Sequence, residues 1–319
     1  MNCELLVHPD EITEGLIDRF AAAGISTLGI HPVGGKTAAD SLASLLRDLS
    51  EERLPALLDY AHEKGLSIEY EFHSASYLLP RSLFDTHPEY FRMDEAGERN
   101  PDCNFCVSSE EALAIYGENA VKVAKALYRS SPNYYFWLDD RKDRQCHCER
   151  CRGLSSSEKQ LKVINAVARK LRELRSDAKI AYLAYFECVQ VPEKVTPEDN
   201  VFLEYAPFEK YVYKGEDRAE VIERERISAL PLLDFFGREN SKVLEYWYDN
   251  SMFSGWKKPP KEFILDRVAM EKEISEYRDM GFEYMSSFAC YLGDDYNALY
   301  GEADFEPFGE CCAEHNAKC

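Results

Sequence analysis

Eight short runs rich in β-branched and aromatic residues alternate with helical patterns almost from one end of the chain to the other. The runs are CELLVHP (3–9), STLGIHP (26–32), LSIEYEFHS (66–74), NYYFWLDD (133–140), KIAYLAYFE (179–187), VFLEYAP (201–207), KVLEYWYDN (242–250) and FEYMSSFAC (282–290). Helical patterns fall at about 14–24, 39–64, 110–128, 158–175, 223–236 and 261–280. Strands alternating with helices imply parallel βαβ units, because a parallel partner is reached only by a long crossover. Eight such units over 319 residues fit a single closed (β/α)8 barrel spanning 1–319, with a short or irregular last helix. An open dinucleotide-binding sheet would need an early glycine-rich phosphate turn, and His31-Pro32-Val33-Gly34-Gly35 is not GxGxxG.

In such barrels chemistry gathers at the carboxyl ends of the strands. His8, His31 and His73 end the first three runs, Asp139 and Asp140 the fourth, and Glu187 the fifth. Glu204 sits in the sixth run, and Trp247, Tyr248, Asp249 and Asn250 end the seventh. Glu69 and Glu71 alternate with Tyr70 and Phe72, so they share a face with His73, the barrel interior if the period holds. Glycosidic cleavage needs one protonated and one ionised carboxyl group flanking the bond. Asp140 is the expected general acid, Asp139 orients substrate or intermediate, and Glu204 or Asp249 completes the pair. His8, His31, His73, Glu187, Trp247 and Tyr248 are the expected sugar contacts. A chain with 20 Tyr and 17 Phe has rings to spare for a carbohydrate cleft.

Cys146, Cys148 and Cys151 form C-x-C-x-x-C in a cysteine-rich insertion after the fourth strand, with Cys103 and Cys106 upstream. The downstream trio plus Cys106 would supply four thiolates to a tetrahedral zinc, a closed site that holds loops and leaves water alone. Zinc is therefore expected as a structural ion, with none required for catalysis. Eleven cysteines, an odd number in a long chain, argue against a secreted disulfide scaffold. Cys3, Cys188 and Cys290 read as buried thiols, while Cys311, Cys312 and Cys319 have no assigned role.

The net charge of −20 excludes the basic footprint of a nucleic-acid binder. No apolar run reaches the roughly 18 residues of a membrane span, and the start MNCELLVHPDE lacks signal-peptide regions, so a cytoplasmic location is expected. The expected partner is a small-molecule or oligosaccharide substrate, with neither nucleic acid nor membrane.

The stretches HPEYFRMDEAGERNPDCNFCVSSEEAL, YYFWLDDRKDRQCHCERCRGLS, AYLAYFE and VFLEYAPFEK resemble the domain-of-unknown-function family numbered 4838, over most of 60–300. That resemblance implies a glycoside-hydrolase-like TIM barrel, distantly similar to the β-hexosaminidase and α-glucuronidase families. Family 20 hexosaminidases carry Asp then Glu at the end of the fourth strand. Asp139 and Asp140 occupy the similar place, with the second acid one methylene shorter. Two other functions fit the same residues. One is a metal-dependent sugar isomerase or epimerase, with Glu187, Glu204, His73 and Asp249 as ligands for Mg²⁺ or Mn²⁺. The other is a non-catalytic carbohydrate-binding barrel.

Overall fold

A strand buried on both faces belongs in a sheet covered on both sides, and Asn2–Val7 (β1) is buried at every position after the first. The computed structural model describes residues 2–212 and 218–313; Cys319 lies outside them. The barrel continues with Thr27–Ile30 (β2), Ser67–His73 (β3), Asn133–Trp137 (β4), Lys179–Ala184 (β5), Val201–Tyr205 (β6), Lys242–Glu245 (β7) and Tyr284–Phe288 (β8). Spatial order follows chain order and β8 closes on β1, every pairing being parallel. The fold is the (β/α)8 barrel that the alternation implied.

Several helices outside the barrel start where side chains cap them. Thr13, Ser109 and Asp266 each accept a backbone N–H from the first turn of Glu14–Ala22, Glu110–Ala126 and Arg267–Met280. Ser155 and Glu158 close a capping box on Ser156–Leu174. The patterned region 39–64 is two helices, Ala38–Asp48 and Arg53–Glu63. Between β5 and β6 only a 3-10 turn, Phe186–Cys188, takes the place of a helix. The long connection after β3 carries the two-stranded ribbon Arg92–Met93 and Arg99–Asn100. After β8 come the short helices Asp294–Tyr300 and Glu306–Ala313, the latter burying Cys311 and Cys312. Among the described residues no helix is long and apolar enough to cross a membrane.

Alternation splits the buried residues into two cores. Outward positions such as Leu5, Ile30, Phe72, Phe136 and Val243 pack against the helices, and inward positions such as Leu6, Trp137, Leu183, Leu244 and Phe288 fill the barrel. Below those apolar residues the interior is charged. Lys242 on β7 ion-pairs with Glu4 and Glu71 and lies 3.4 Å from Glu69. Glu69 also accepts hydrogen bonds from Ser131, Asn133 and the Tyr135 hydroxyl. Gly29 makes room for this cluster, since a Cβ there would fall 2.5 Å from a Glu4 carboxylate oxygen and 2.7 Å from Leu6 Cγ. Buried carboxylates without such partners would be untenable.

Candidate functional site

The inward face of the strands opens at their carboxyl ends into a cleft of about 410 Å³. Three histidines form part of its wall, and their orientation follows from the strand ladder. His8 Nδ1 lies 2.7 Å from the His31 carbonyl, His31 Nδ1 2.8 Å from the Glu71 carbonyl, and His73 Nδ1 2.6 Å from the Leu138 carbonyl. A carbonyl only accepts, so Nδ1 of each ring carries the proton, and Nε2 is left for another partner. Burial pushes His8 below the usual imidazole value and His31 well below it, with His8 and His73 adding to the effect on His31. Those two rings are therefore neutral near pH 7, each with an acceptor at Nε2.

Of the expected acids, Asp140 and Asp249 line this cleft. Asp140 is half-buried and lies 3.4 Å from the Tyr185 hydroxyl, which donates to it. Asp249 is buried, and one of its oxygens accepts from Ser251 Oγ at 2.5 Å and from the Met252 N–H at 3.2 Å. Burial raises its carboxyl above the ordinary aspartate range.

The other expected acids are placed elsewhere. Asp139 ion-pairs with Arg81 and accepts the backbone N–H groups of Ser76 and Asn104 at 3.1 and 2.7 Å, so both its oxygens are committed to holding loops. The chain turns directly after Trp137, which sends adjacent aspartates to different surroundings. Glu204 lies below the cleft floor, where it accepts the Trp137 indole N–H at 2.7 Å. Burial raises its carboxyl to about 7. Its other oxygen and Glu71 Oε2 have no donor among the side chains and backbone. Glu187 borders a separate crevice of about 30 Å³ and accepts the Asp143 N–H at 3.1 Å.

The expected aromatic contacts are also corrected. Trp247 and Tyr248 point out of the barrel wall: Trp247 Nε1 donates to Glu273 at 2.7 Å, and Tyr248 packs on Phe305 and donates to the Asp304 carbonyl. The inward register on β7 is Lys242, Leu244 and Tyr246, so the residue that enters the cleft is Tyr246. Tyr185, Phe208, Trp256 and Tyr291 complete the aromatic wall, and Cys290, expected simply as a buried thiol, lines it as well. Continuing the period of two from Leu183 and Leu244 would have found Tyr185 and Tyr246. Trp256 and Tyr291 lie on loops with φ of 55° and 66°, a left-handed conformation that no periodicity announces and that bulky residues seldom adopt.

Two metal expectations meet different geometry. Cys106, Cys146, Cys148 and Cys151 bring their sulfurs within 4.8 Å of one another, whereas Cys103 is outside the group. Glu187, Glu204, His73 and Asp249, the ligand set of the isomerase alternative, do not converge on any such point among the described residues.

The fold and the cleft define a class: a (β/α)8 barrel with acids, imidazoles and aromatic rings gathered at the mouth. Within it, the chain belongs to the family described as Domain of unknown function (DUF4838), whose model matches residues 48–228. No curated protein matches it. Among solved structures it is similar to a glycoside hydrolase family 5 enzyme from Prevotella bryantii in complex with a xyloglucan tetradecasaccharide (TM-score 0.51, 9% identity, covering 95% of this chain and 86% of that one). It is similar also to endo-glycoceramidase II from Rhodococcus sp. (TM-score 0.51, 9% identity, 90% and 72%). A third is the β-galactosidase of the psychrophilic Marinomonas ef1 (TM-score 0.54, 11% identity), of which all of this chain matches 60% of that one. At such identities the likeness establishes the fold.

Proposed function

We propose that this protein is a glycoside hydrolase whose carboxyl pair is Asp140 and Asp249. The observation that carries the reading is that these acids, from the loops after β4 and β7, line one cleft with His8, His31 and His73. Burial favours the protonated form of Asp249, which suits a general acid, the part that the sequence alone assigned to Asp140. Asp140, more open and held by the Tyr185 hydroxyl, takes the ionised part, as nucleophile or base. The free Nε2 atoms of neutral His8 and His31 accept sugar hydroxyls. Tyr246, Trp256 and Tyr291 offer flat faces to the C–H surfaces of sugar rings. The hydrolases that share the fold support a carbohydrate substrate.

Leaving-group dependence separates the two roles, because an activated aryl glycoside departs without a proton. Asp249→Asn should lose about 10²- to 10⁴-fold on an unactivated oligosaccharide and much less on a dinitrophenyl glycoside. Asp140→Asn should be inactive on both. Near-wild-type turnover of the oligosaccharide by either variant would overturn the pair. Saturable oligosaccharide binding by a wild type that turns over no glycoside in a broad panel would establish the non-catalytic alternative instead.

A further inference from the structure

Two loops from different crossovers meet at four sulfurs. Cys106 lies ahead of the helix Glu110–Ala126, and Cys146, Cys148 and Cys151 lie in the loop after β4. All four are buried, and their Sγ atoms lie within 4.8 Å of one another. Cys106 Sγ stands 3.7 Å from Cys148 Sγ and 3.9 Å from Cys151 Sγ. Four sulfurs at about 2.3 Å from a tetrahedral zinc ion stand about 3.8 Å apart along each edge. Both spacings match that edge and are far beyond the roughly 2.05 Å of a disulfide. The sulfurs also have donors placed against them. The Met93 N–H points at Cys146 Sγ from 3.3 Å, Arg99 Nη1 lies 3.9 Å from the same sulfur, and Ser108 Oγ lies 3.0 Å from Cys151 Sγ. Such contacts spread the charge of thiolates and orient metal ligands.

We propose that the quartet binds one structural Zn²⁺ as four thiolates, with release of the four thiol protons, and that the ion sets the position of the loop bearing Asp140. Four protein sulfurs leave no open coordination position, so the ion holds structure and does not activate water. Its positioning role follows from what it shares with the Asp139 latch. Asn104, two residues before Cys106, donates its N–H to Asp139 and accepts the Asp139 N–H at 2.9 Å. Arg81 binds both Asp139 and the Asn104 carbonyl. Metal and latch thus tie the same two loops together on either side of residues 140–145. The metal assignment rests on the sulfurs alone and stands whether or not the cleft cleaves glycosides.

The full chain, purified under reducing conditions without chelator, should carry one zinc per molecule by elemental analysis. After replacement with Co²⁺ it should show the intense visible bands of a tetrahedral ion with thiolate charge transfer. Cys148→Ser should lose both signals, and Cys103→Ser, which alters the neighbouring thiol outside the quartet, should keep both. Removing the metal from wild type should speed amide exchange in 101–109 and 139–151 and leave the helix Ser156–Leu174 protected. Absence of bound metal, iron in place of zinc, or retention of zinc by Cys148→Ser would overturn the site. Unchanged exchange on metal removal would overturn its positioning role. Should Cys148→Ser fail to fold, the wild-type metal content and cobalt spectrum decide alone: a spectrum without thiolate charge transfer overturns the assignment. A zinc-loaded wild type that hydrolyses nothing supports this site and overturns the hydrolase.

Discussion

Tyr246 and Trp247 are neighbours in the chain and stand on opposite sides of the barrel wall, one in the cleft and one bonded to Glu273. Substitution should separate them. Tyr246→Ala should raise the Kd for an oligosaccharide about tenfold, equivalent to roughly 1.4 kcal/mol, and also cost about 2–4 kcal/mol of stability, because the buried ring packs on Phe208, Tyr211 and Phe288. Trp247→Phe should leave that Kd alone and cost about 1–2 kcal/mol of stability, because the buried Glu273 carboxylate loses one donor and keeps the Lys210 ammonium at 2.9 Å. Titration calorimetry and urea unfolding read the two effects, and equal losses of binding would contradict the facing of these side chains. The same pair marks what could be read from residues alone. His8, His31 and His73 were legible as a set because each extends the inward register of its own strand. Trp247 and Tyr248 were misread because β7 ends at Glu245, and assigning a whole strand end to the cleft ignores that alternate residues face away. Trp256 had no signal at all, since its exposure to the cleft depends on a left-handed loop residue.

At the level of elements, β1 to β4 are joined at the mouth by the three imidazole-to-carbonyl bonds, so each ring is aimed by the strand beside it. The loop after β2 closes over this ladder at Gly34, where a Cβ would fall 2.9 Å from His73 Cδ2 and 3.9 Å from His31 Nε2. The φ of Gly34 is −81°, open to any residue, so the demand for glycine there is steric contact with the ring. Gly34→Ala should therefore fold with stability within about 1 kcal/mol of wild type, as for a change outside the core. Its kcat/KM should fall about 10- to 100-fold through displacement of His73; unchanged kinetics would remove the ladder from the functional site. The elements themselves were largely legible, because a strand buried on both faces and a helix with one apolar stripe leave different periods. The break between Asp48 and Arg53 and the ribbon at 92–100 were not. They depend on what those segments pack against, and no period marks such a partner. Ligand number asks for one more sulfur beside the later trio without choosing between Cys103 and Cys106, and it is the meeting of two loops in space that puts Cys106 there.

For the whole molecule, a barrel with acids under its floor couples stability to pH. Glu4, Glu69, Glu71 and Glu204 surround the single ammonium group of Lys242, and burial pushes Glu4 and Glu71 well above the carboxylate range and Glu204 from 4.5 to about 7. Below pH 4.5 Glu204 is protonated in both folded and unfolded chains and makes no difference to their balance. Between 4.5 and 7 the unfolded chain releases that proton while the folded one keeps it, so stability falls as pH rises, by about 3 kcal/mol for this group. Above 7 both forms are ionised and the contribution levels off. The net charge of −20 acts in the same direction through self-repulsion, so the wild-type curve alone does not identify the group. Glu204→Gln does, because its amide oxygen can still accept the Trp137 indole N–H while nothing remains to titrate. Urea unfolding at pH 5 to 8 should give a variant with a shallower decline, its advantage over wild type growing with pH to as much as about 3 kcal/mol near pH 8. Parallel curves would mean that Glu204 keeps an ordinary pKa in the folded barrel, and the decline with pH would have to be placed on other acids of the floor.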